Sequence, residues 1–359
     1  MRSFPLSRKE VEFDLATLRA FYAGKRVLIT GAAGSVGSAL AHRLAELGCA
    51  HIAMLDQFDH GLIEVVEGVR RLAPSAQVTE ALCDIRDQAR LGVWMRRVAP
   101  DVVIHSAALK HVHLGERHPI ECVITNLIGV RNVVEAAAAA GASHFMLVST
   151  DKAAAPVCVM GATKRLAELY LMGFAQENDT PMQLKSVRFG NVWGSQGSVL
   201  PRFAAQIEAG GPVEITHTDM KRFFMTDREA VGLILSVAAL DQPDAEGAFF
   251  MEMGDQKSIV DIAKDMIARS GHKDIEIKIT GLRPGEKLGE QLFDDNEVVS
   301  SSALPGIFRV APHSVDAYLN SADVAHIETM ARTLDDAVVR QRIFAQLDER
   351  LHREDLAAS

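Results

Sequence analysis

"VLITGAAGSVGSAL", residues 27–40, decides the fold. A short apolar run ending at Thr30 meets Gly31, Gly34 and Gly37 in G-x-x-G-x-x-G spacing, and a helical pattern follows. Glycines so placed allow a tight strand-to-helix turn whose backbone lets a pyrophosphate rest on the helix N-terminus. The triplet alone also fits an ordinary turn, so its surroundings matter. "HIAMLD" (51–56) reads as the second strand and ends on Asp56. An acid there accepts hydrogen bonds from the adenosine ribose hydroxyls and repels a 2′-phosphate. No Lys or Arg follows in "DQFDHG", so NAD is the expected cofactor rather than NADP.

The same rhythm runs outward. "RVLIT" (26–30), "DVVIH" (101–105), "HFMLVS" (144–149) and "QLKSVRFG" (183–190) read as buried strands. Helical stretches are expected at about 35–47, 86–98, 125–140 and 161–178. Repeated strand–helix–strand units predict an α/β fold, a Rossmann-type doubly wound parallel sheet. After about residue 190 glycines and prolines thicken ("GNVWGSQGSVLP", "AGGPVEI", "TGLRPGEK"), which suggests a smaller mixed α/β lobe over the strand ends. The expected division is a lead-in at 1–23 and a dinucleotide-binding domain at 24–190, with 226–255 returning to it. Residues 191–225 and 256–359 would form the substrate-binding lobe.

A net charge of −9, with basic pairs scattered among acids, argues against a nucleic-acid partner. Cys49, Cys83, Cys122 and Cys158 are widely spaced and read as reduced thiols. The start lacks a signal-peptide core, and "AVGLILSVAAL" (230–240) is too short to cross a bilayer, so a soluble, cytoplasmic chain without membrane insertion is expected. His111, His113 and His118 have no carboxylate or cysteine frame around them, and no metal is expected.

Two more strand ends support the cofactor reading. "CDIRD" (83–87) places Asp84 to meet an adenine amino group, and in "HSAALKHV" (105–112) the small Ala107 and Ala108 let a cofactor lie along the backbone. Ser35, Val36, Ile85, Asn126 and Ser149 complete the candidate cofactor set. In "STDKAAAPVCVMGATKRLAE" (149–168) Lys164 is present, yet Met160 stands four residues before it, where short-chain dehydrogenases carry Tyr. A thioether has no titratable proton. Another residue must then do the acid–base work, or none does.

Taken in order, these motifs resemble the extended short-chain dehydrogenase/reductases. More narrowly they are similar to the capsular-polysaccharide group of nucleotide-sugar 4,6-dehydratases, whose best-known substrate is UDP-N-acetylglucosamine. The resemblance runs through "LKHVHLGERHPIECVITNLIGVRNV", "RFGNVWGSQGSVLPRF", "ITHTDMKRFFMT" and "TGLRPGEKLGE", and "PLSRKEVEFDL" is similar to the lead-in of larger, membrane-anchored members. In one branch Met replaces the Tyr and the chemistry passes to an Asp-Lys pair after Ser/Thr, here Thr150, Asp151 and Lys152.

The resemblance implies roles for these side chains. Lys152, its pKa lowered to roughly 7–8 beside a cofactor and a cationic neighbour, would take the C5 proton. Asp151 would protonate the departing C6 oxygen and is placed to take the C4 proton first. Thr150 would orient the C4 oxygen, Lys164 would hold the nicotinamide ribose, and Met160 would pack. Arg283 suits a diphosphate and Glu286 the uridine ribose, with Asn191, Ser198, Val199, Thr216 and Arg222 as further substrate candidates. Lys110 would reach either cofactor or sugar. A UDP-sugar is the expected partner, and the helices at 125–140 and 161–178 are the expected surfaces of a homo-oligomer, dimer or higher. Two other readings stay open: an epimerase of the same fold, and a silent NAD- or nucleotide-binding protein. The second draws on the apolar "KAAAPVCVM" and on Gly289, which stands where an aromatic is common.

Overall fold

The structure, a computed structural model, describes residues 8–240, 247–272 and 274–351. Six parallel strands form its frame: β1 (Arg26–Thr30), β2 (His51–Asp56), β3 (Gln77–Leu82), β4 (Val102–His105), β5 (His144–Val148) and β6 (Gln183–Arg188), in the order β3-β2-β1-β4-β5-β6. The central strands read as unbroken apolar runs because helices cover both faces of the sheet. Chain direction out of the sheet reverses between β1 and β4, where Thr30 lies beside His105. A crevice at the carboxyl ends of the strands opens at such a point, and ligands bind there in folds of this kind.

The glycine turn leads into the helix Ser35–Leu47, with Gly34 as its N-cap. The helix Asp59–Leu72, absent from the sequence expectations, buries Leu62, Val65, Val66 and Val69 along one face. Its internal Gly61 and Gly68 dilute the helical signal. The helical stretch Pro119–Ala139 carries a π-helical turn at Ile124–Ile128. Among the described residues it is the one stretch long and apolar enough to cross a membrane, and 67% of its apolar window is buried inside the protein.

Beyond β6 the sheet continues with Gly247–Met251, parallel, and then with the antiparallel pair Ile307–Pro312 and Glu297–Ser301. This departs from the expected lobe at 256–359. Phe308 stacks on Phe250 at 5.4 Å, so the pair extends the main sheet. The helices Ser321–Thr333 and Asp336–Leu351 also pack back on the first core: Val324, Ile327, Val339, Ile343 and Leu347 join Leu166, Leu169 and Tyr170 in one apolar cluster. The pairing surface needs correction as well. The helix Val159–Asn178, expected to form part of it, is buried at every position from Val159 to Phe174, because the chain's own C-terminal hairpin covers the side that the sheet does not.

A separate small core joins the helices Val199–Glu208 and Ile259–Ser270 with the strands Val213–Ile215 and Ile277–Ile279, through Leu200, Phe203, Ile215 and Ile262. Of the lead-in, residues 1–7 lie outside the described residues. The segment from Arg8 onward is strapped to the helix Asp227–Ala238: Arg8 pairs with Glu229, whose carboxylate also accepts from the Val11 N–H at 2.9 Å.

Candidate active site

A cleft of about 680 Å³ opens at the carboxyl ends of β1, β2, β4 and β5. Its walls include every candidate cofactor residue except Asn126. The glycine turn is tight enough to explain its composition. Gly31 has φ +69°, and a methyl added there would stand 2.5 Å from the Ala107 nitrogen. One at Gly37 would stand 2.1 Å from the Gly31 carbonyl oxygen, so the helix could not approach the turn. Asp56 accepts from the Ala33 N–H at 2.9 Å and the Phe58 N–H at 3.0 Å, which fixes its carboxylate at the end of β2. Burial works against ionisation of Asp84, but hydrogen bonds from the side chain and backbone of Arg86 hold its pKa below the ordinary value.

Asn126 is used differently from the expectation. Its side-chain oxygen accepts from the Leu109 N–H at 2.8 Å, and its amide nitrogen donates to the Leu109 carbonyl at 3.1 Å and to Thr163 Oγ1 at 3.2 Å. It clamps the loop after β4 from behind, with no exposed surface, while its neighbour Thr125 lines the cleft. The π-helical turn supplies this geometry, and nothing in the local sequence announces it.

The catalytic candidates gather where β5 ends. Ser149 and Asp151 are tied to β6 and the residue after it by bonds from their N–H groups to the carbonyls of Val187 and Phe189. Thr150 Oγ1 donates to Asp151 Oδ1 at 3.0 Å, and Lys152 Nζ lies 2.9 Å from the same oxygen. Asp151 is fully buried, and its Oδ2 has no partner among the described residues. Thr150, Lys152, Met160 and Lys164 line the cleft. Met160 packs with Cys122, Cys158 and Val159.

Lys152 overturns one expectation. Burial pushes its pKa down, but the charges of Asp151 and Glu290 outweigh that, and outweigh Arg222, so it lies above the ordinary lysine value. Glu290, which the sequence reading passed over, has its Oε1 at 3.3 Å from Lys152 Nζ. It is Lys164 whose pKa is depressed, to about 8, by burial that Glu168 and Cys122 only partly oppose. Lys164 is 3% exposed and lines the cleft, and its buried ammonium has no hydrogen-bond partner among the described residues. An orphaned buried cation, a helix N-terminus and a glycine cradle in one cleft fit a dinucleotide.

Among the substrate candidates, Lys110, Asn191 and Ser198 line the cleft, and the buried Ser198 Oγ lacks a partner among the described residues. Lys110 Nζ donates to the Gln196 carbonyl at 2.6 Å, and the Gln196 N–H donates to Ser35 Oγ at 2.9 Å, so segment 195–198 crosses the cleft mouth. Val199, Thr216, Arg222, Arg283 and Glu286 stand outside the cleft wall. The Thr216 hydroxyl lies 3.6 Å from the Met220 sulfur. Arg222 is 7% exposed and donates to the carbonyls of Lys221 and Leu288. Glu286 accepts from the Arg283 N–H at 3.0 Å, closing a turn. Loop 281–290 is held on the catalytic stretch by Lys287, which donates to the carbonyls of Ala154 and Ala155.

A family model described as polysaccharide biosynthesis protein matches residues 27–312. The probable polysaccharide biosynthesis protein EpsC of Bacillus subtilis is 40% identical over 84% of the chain and 50% of its own length. The chain thus spans about half the length of that relative. A UDP-N-acetylglucosamine 4,6-dehydratase (inverting) of Campylobacter jejuni is 31% identical over 80% of the chain and 83% of its own. A UDP-glucose 4-epimerase of Rickettsia canadensis reaches 30% over the same shares. Among solved structures, Pen from Bacillus thuringiensis superposes with a TM-score of 0.74 at 29% identity, covering 82% of this chain and 89% of that one.

Proposed function

The chain belongs to the polysaccharide biosynthesis protein family, and on that premise we propose that it is an NAD-dependent nucleotide-sugar 4,6-dehydratase acting on UDP-N-acetylglucosamine. The relative that carries this activity in its name supports the choice of sugar. The observation that carries the reading is Lys152 in the cleft wall where a tyrosine is missing, with the buried Asp151 carboxylate 2.9 Å behind it. A 4,6-dehydration needs a base for C5 and an acid for the C6 oxygen close together. A 4-epimerase needs a base for the C4 hydroxyl alone and has no C5 proton for Lys152 to remove, and Met160 does not supply the tyrosine that it would use.

When bound, NAD supplies the two-electron oxidation at C4 and the matching reduction at C6. The active form has Asp151 as carboxylate and Lys152 as free amine. Thr150 orients the C4 oxygen, and Asp151 accepts its proton on the oxygen that has no partner among the described residues. The C4 ketone acidifies C5–H, and Lys152 removes that proton. Asp151 gives its proton to the C6 hydroxyl, and water leaves. Lys152 then returns its proton to C5 as C6 is reduced. Each group ends as it began, and the net change is loss of one water. Lys164 holds the ribose and keeps the local field positive. Lys110, Asn191 and Ser198 face the substrate, and the product is a precursor of surface polysaccharide.

The test uses the full chain with NAD and UDP-N-acetylglucosamine, read by mass spectrometry for a product lighter by one water. Asp151→Asn and Lys152→Ala are expected to lower turnover about 10²–10⁴-fold each. Equal turnover before and after either change would overturn these roles.

A further inference from the structure

We propose that Glu290 is a positioning residue for the reaction: delivered by loop 281–290, its carboxylate holds the Lys152 ammonium in place and sets how readily Lys152 gives up its proton. The inference rests on the reading of Asp151 and Lys152 as the acid–base pair.

The geometry is that of a lysine between two buried acids. Asp151, at 2.9 Å, comes from its own turn, and Glu290, at 3.3 Å, comes from a loop far along the chain. Glu290 is 4% exposed, and its second oxygen has no partner among the described residues. A buried carboxylate left half-satisfied is costly unless a nearby cation compensates it. Lys152 and Arg222, whose Nε is 3.6 Å from Glu290, are those cations. The charged and titratable groups facing Lys152 are therefore Asp151, Glu290, Arg222 from the strand Lys221–Arg222, and the Cys158 thiol at the cap of the following helix. Two acids against one arginine favour the ammonium.

The backbone of Glu290 is fixed as firmly as its charge. Its N–H donates to Gln256 Oε1 at 2.9 Å, and its carbonyl accepts from Gln256 Nε2 at 3.0 Å. Lys287, three residues earlier, grips the carbonyls of Ala154 and Ala155. The loop is thereby docked on the stretch that carries Lys152, and Glu290 reads as a control on the base rather than as a surface acid.

The test measures the protonation of Lys152 directly. The NAD-loaded full chain is labelled with acetic anhydride across a pH series, and acetylation at Lys152 is read by mass spectrometry. Glu290→Gln is expected to move the labelling midpoint down by about one pH unit or more, and Arg222→Gln to move it up. The opposite signs matter, since simple loss of packing would not produce them, and Arg222→Gln carries the test should Glu290→Gln fold poorly. A midpoint unmoved in both variants overturns the inference. Turnover is followed in parallel. In Glu290→Gln the acid limb of kcat is expected to shift to lower pH with KM unchanged. Product formation with an unmoved midpoint would overturn the role of Glu290 alone. A shifted midpoint with no product from any nucleotide sugar would uphold the coupling and overturn the dehydratase reading.

Discussion

Ser149 donates its hydroxyl to the buried carboxylate of Glu168 at 2.5 Å, directly behind the candidate active site. Glu168 also binds Arg188 and Arg165, and both arginines reach Glu297, so four buried charges tie the end of β5 to the added edge strand. Each acid has two cations and each cation two acids. Removing one member strands its partners. Glu297→Gln is expected to cost about 3 kcal/mol of stability, measured by urea unfolding.

The same network sets an acid limit. Burial raises the pKa of Glu297, but Arg188 and Arg165 overcome that and hold it at about 2. A carboxyl depressed in the folded state contributes stability above its unfolded pKa, and that contribution is lost as pH falls from about 4.5 toward 2. Unfolding followed through this window should show a steep loss in the parent protein and a shallower one in Glu297→Gln. Parallel curves would contradict the assignment.

Lys164 should cost stability that it returns as cofactor binding. Its pKa near 8 means that folding buries an ammonium poorly satisfied by its surroundings. Lys164→Met is expected to raise the Tm of the NAD-free protein below about pH 8, where the parent side chain is charged. The advantage should fade as pH climbs toward the unfolded lysine value of about 10.4. The variant should also lose most of its thermal stabilisation by NAD. A Tm that falls at neutral pH would show that Lys164 has a partner in the folded protein.

At Gly31 both the positive φ and the 2.5 Å approach to Ala107 exclude a side chain. Gly31→Ala should weaken NAD binding at least tenfold, read by calorimetry, through displacement of the Ser106–Ala107 backbone from the cleft wall. Unchanged affinity would place the cofactor elsewhere.

Much of the nucleotide half was legible because its signals are local. The glycine turn, the run before it and the acid ending β2 lie close together in the chain, and all reach one cleft. The helix Asp59–Leu72 was missed because Gly61 and Gly68 interrupt its period. Long-range pairing was harder: nothing near Glu297–Ser301 says that it closes the main sheet. The Lys152 expectation had the wrong sign for the same reason. Its second acid, Glu290, comes from a distant loop, whereas the neighbours visible in the sequence suggested burial and a cationic field. Asn126, expected at the cofactor, is turned to Leu109 by a π-helical turn that no local sequence signal marks.

Proton NMR of UDP-N-acetylglucosamine incubated with the full chain and NAD in deuterated buffer tests the central claim most directly. A new C6 methyl signal, with deuterium entering at C5, is the predicted result. An unchanged spectrum from a sample in which nucleotide binding is confirmed by thermal stabilisation, repeated with GDP- and dTDP-sugars, would contradict it.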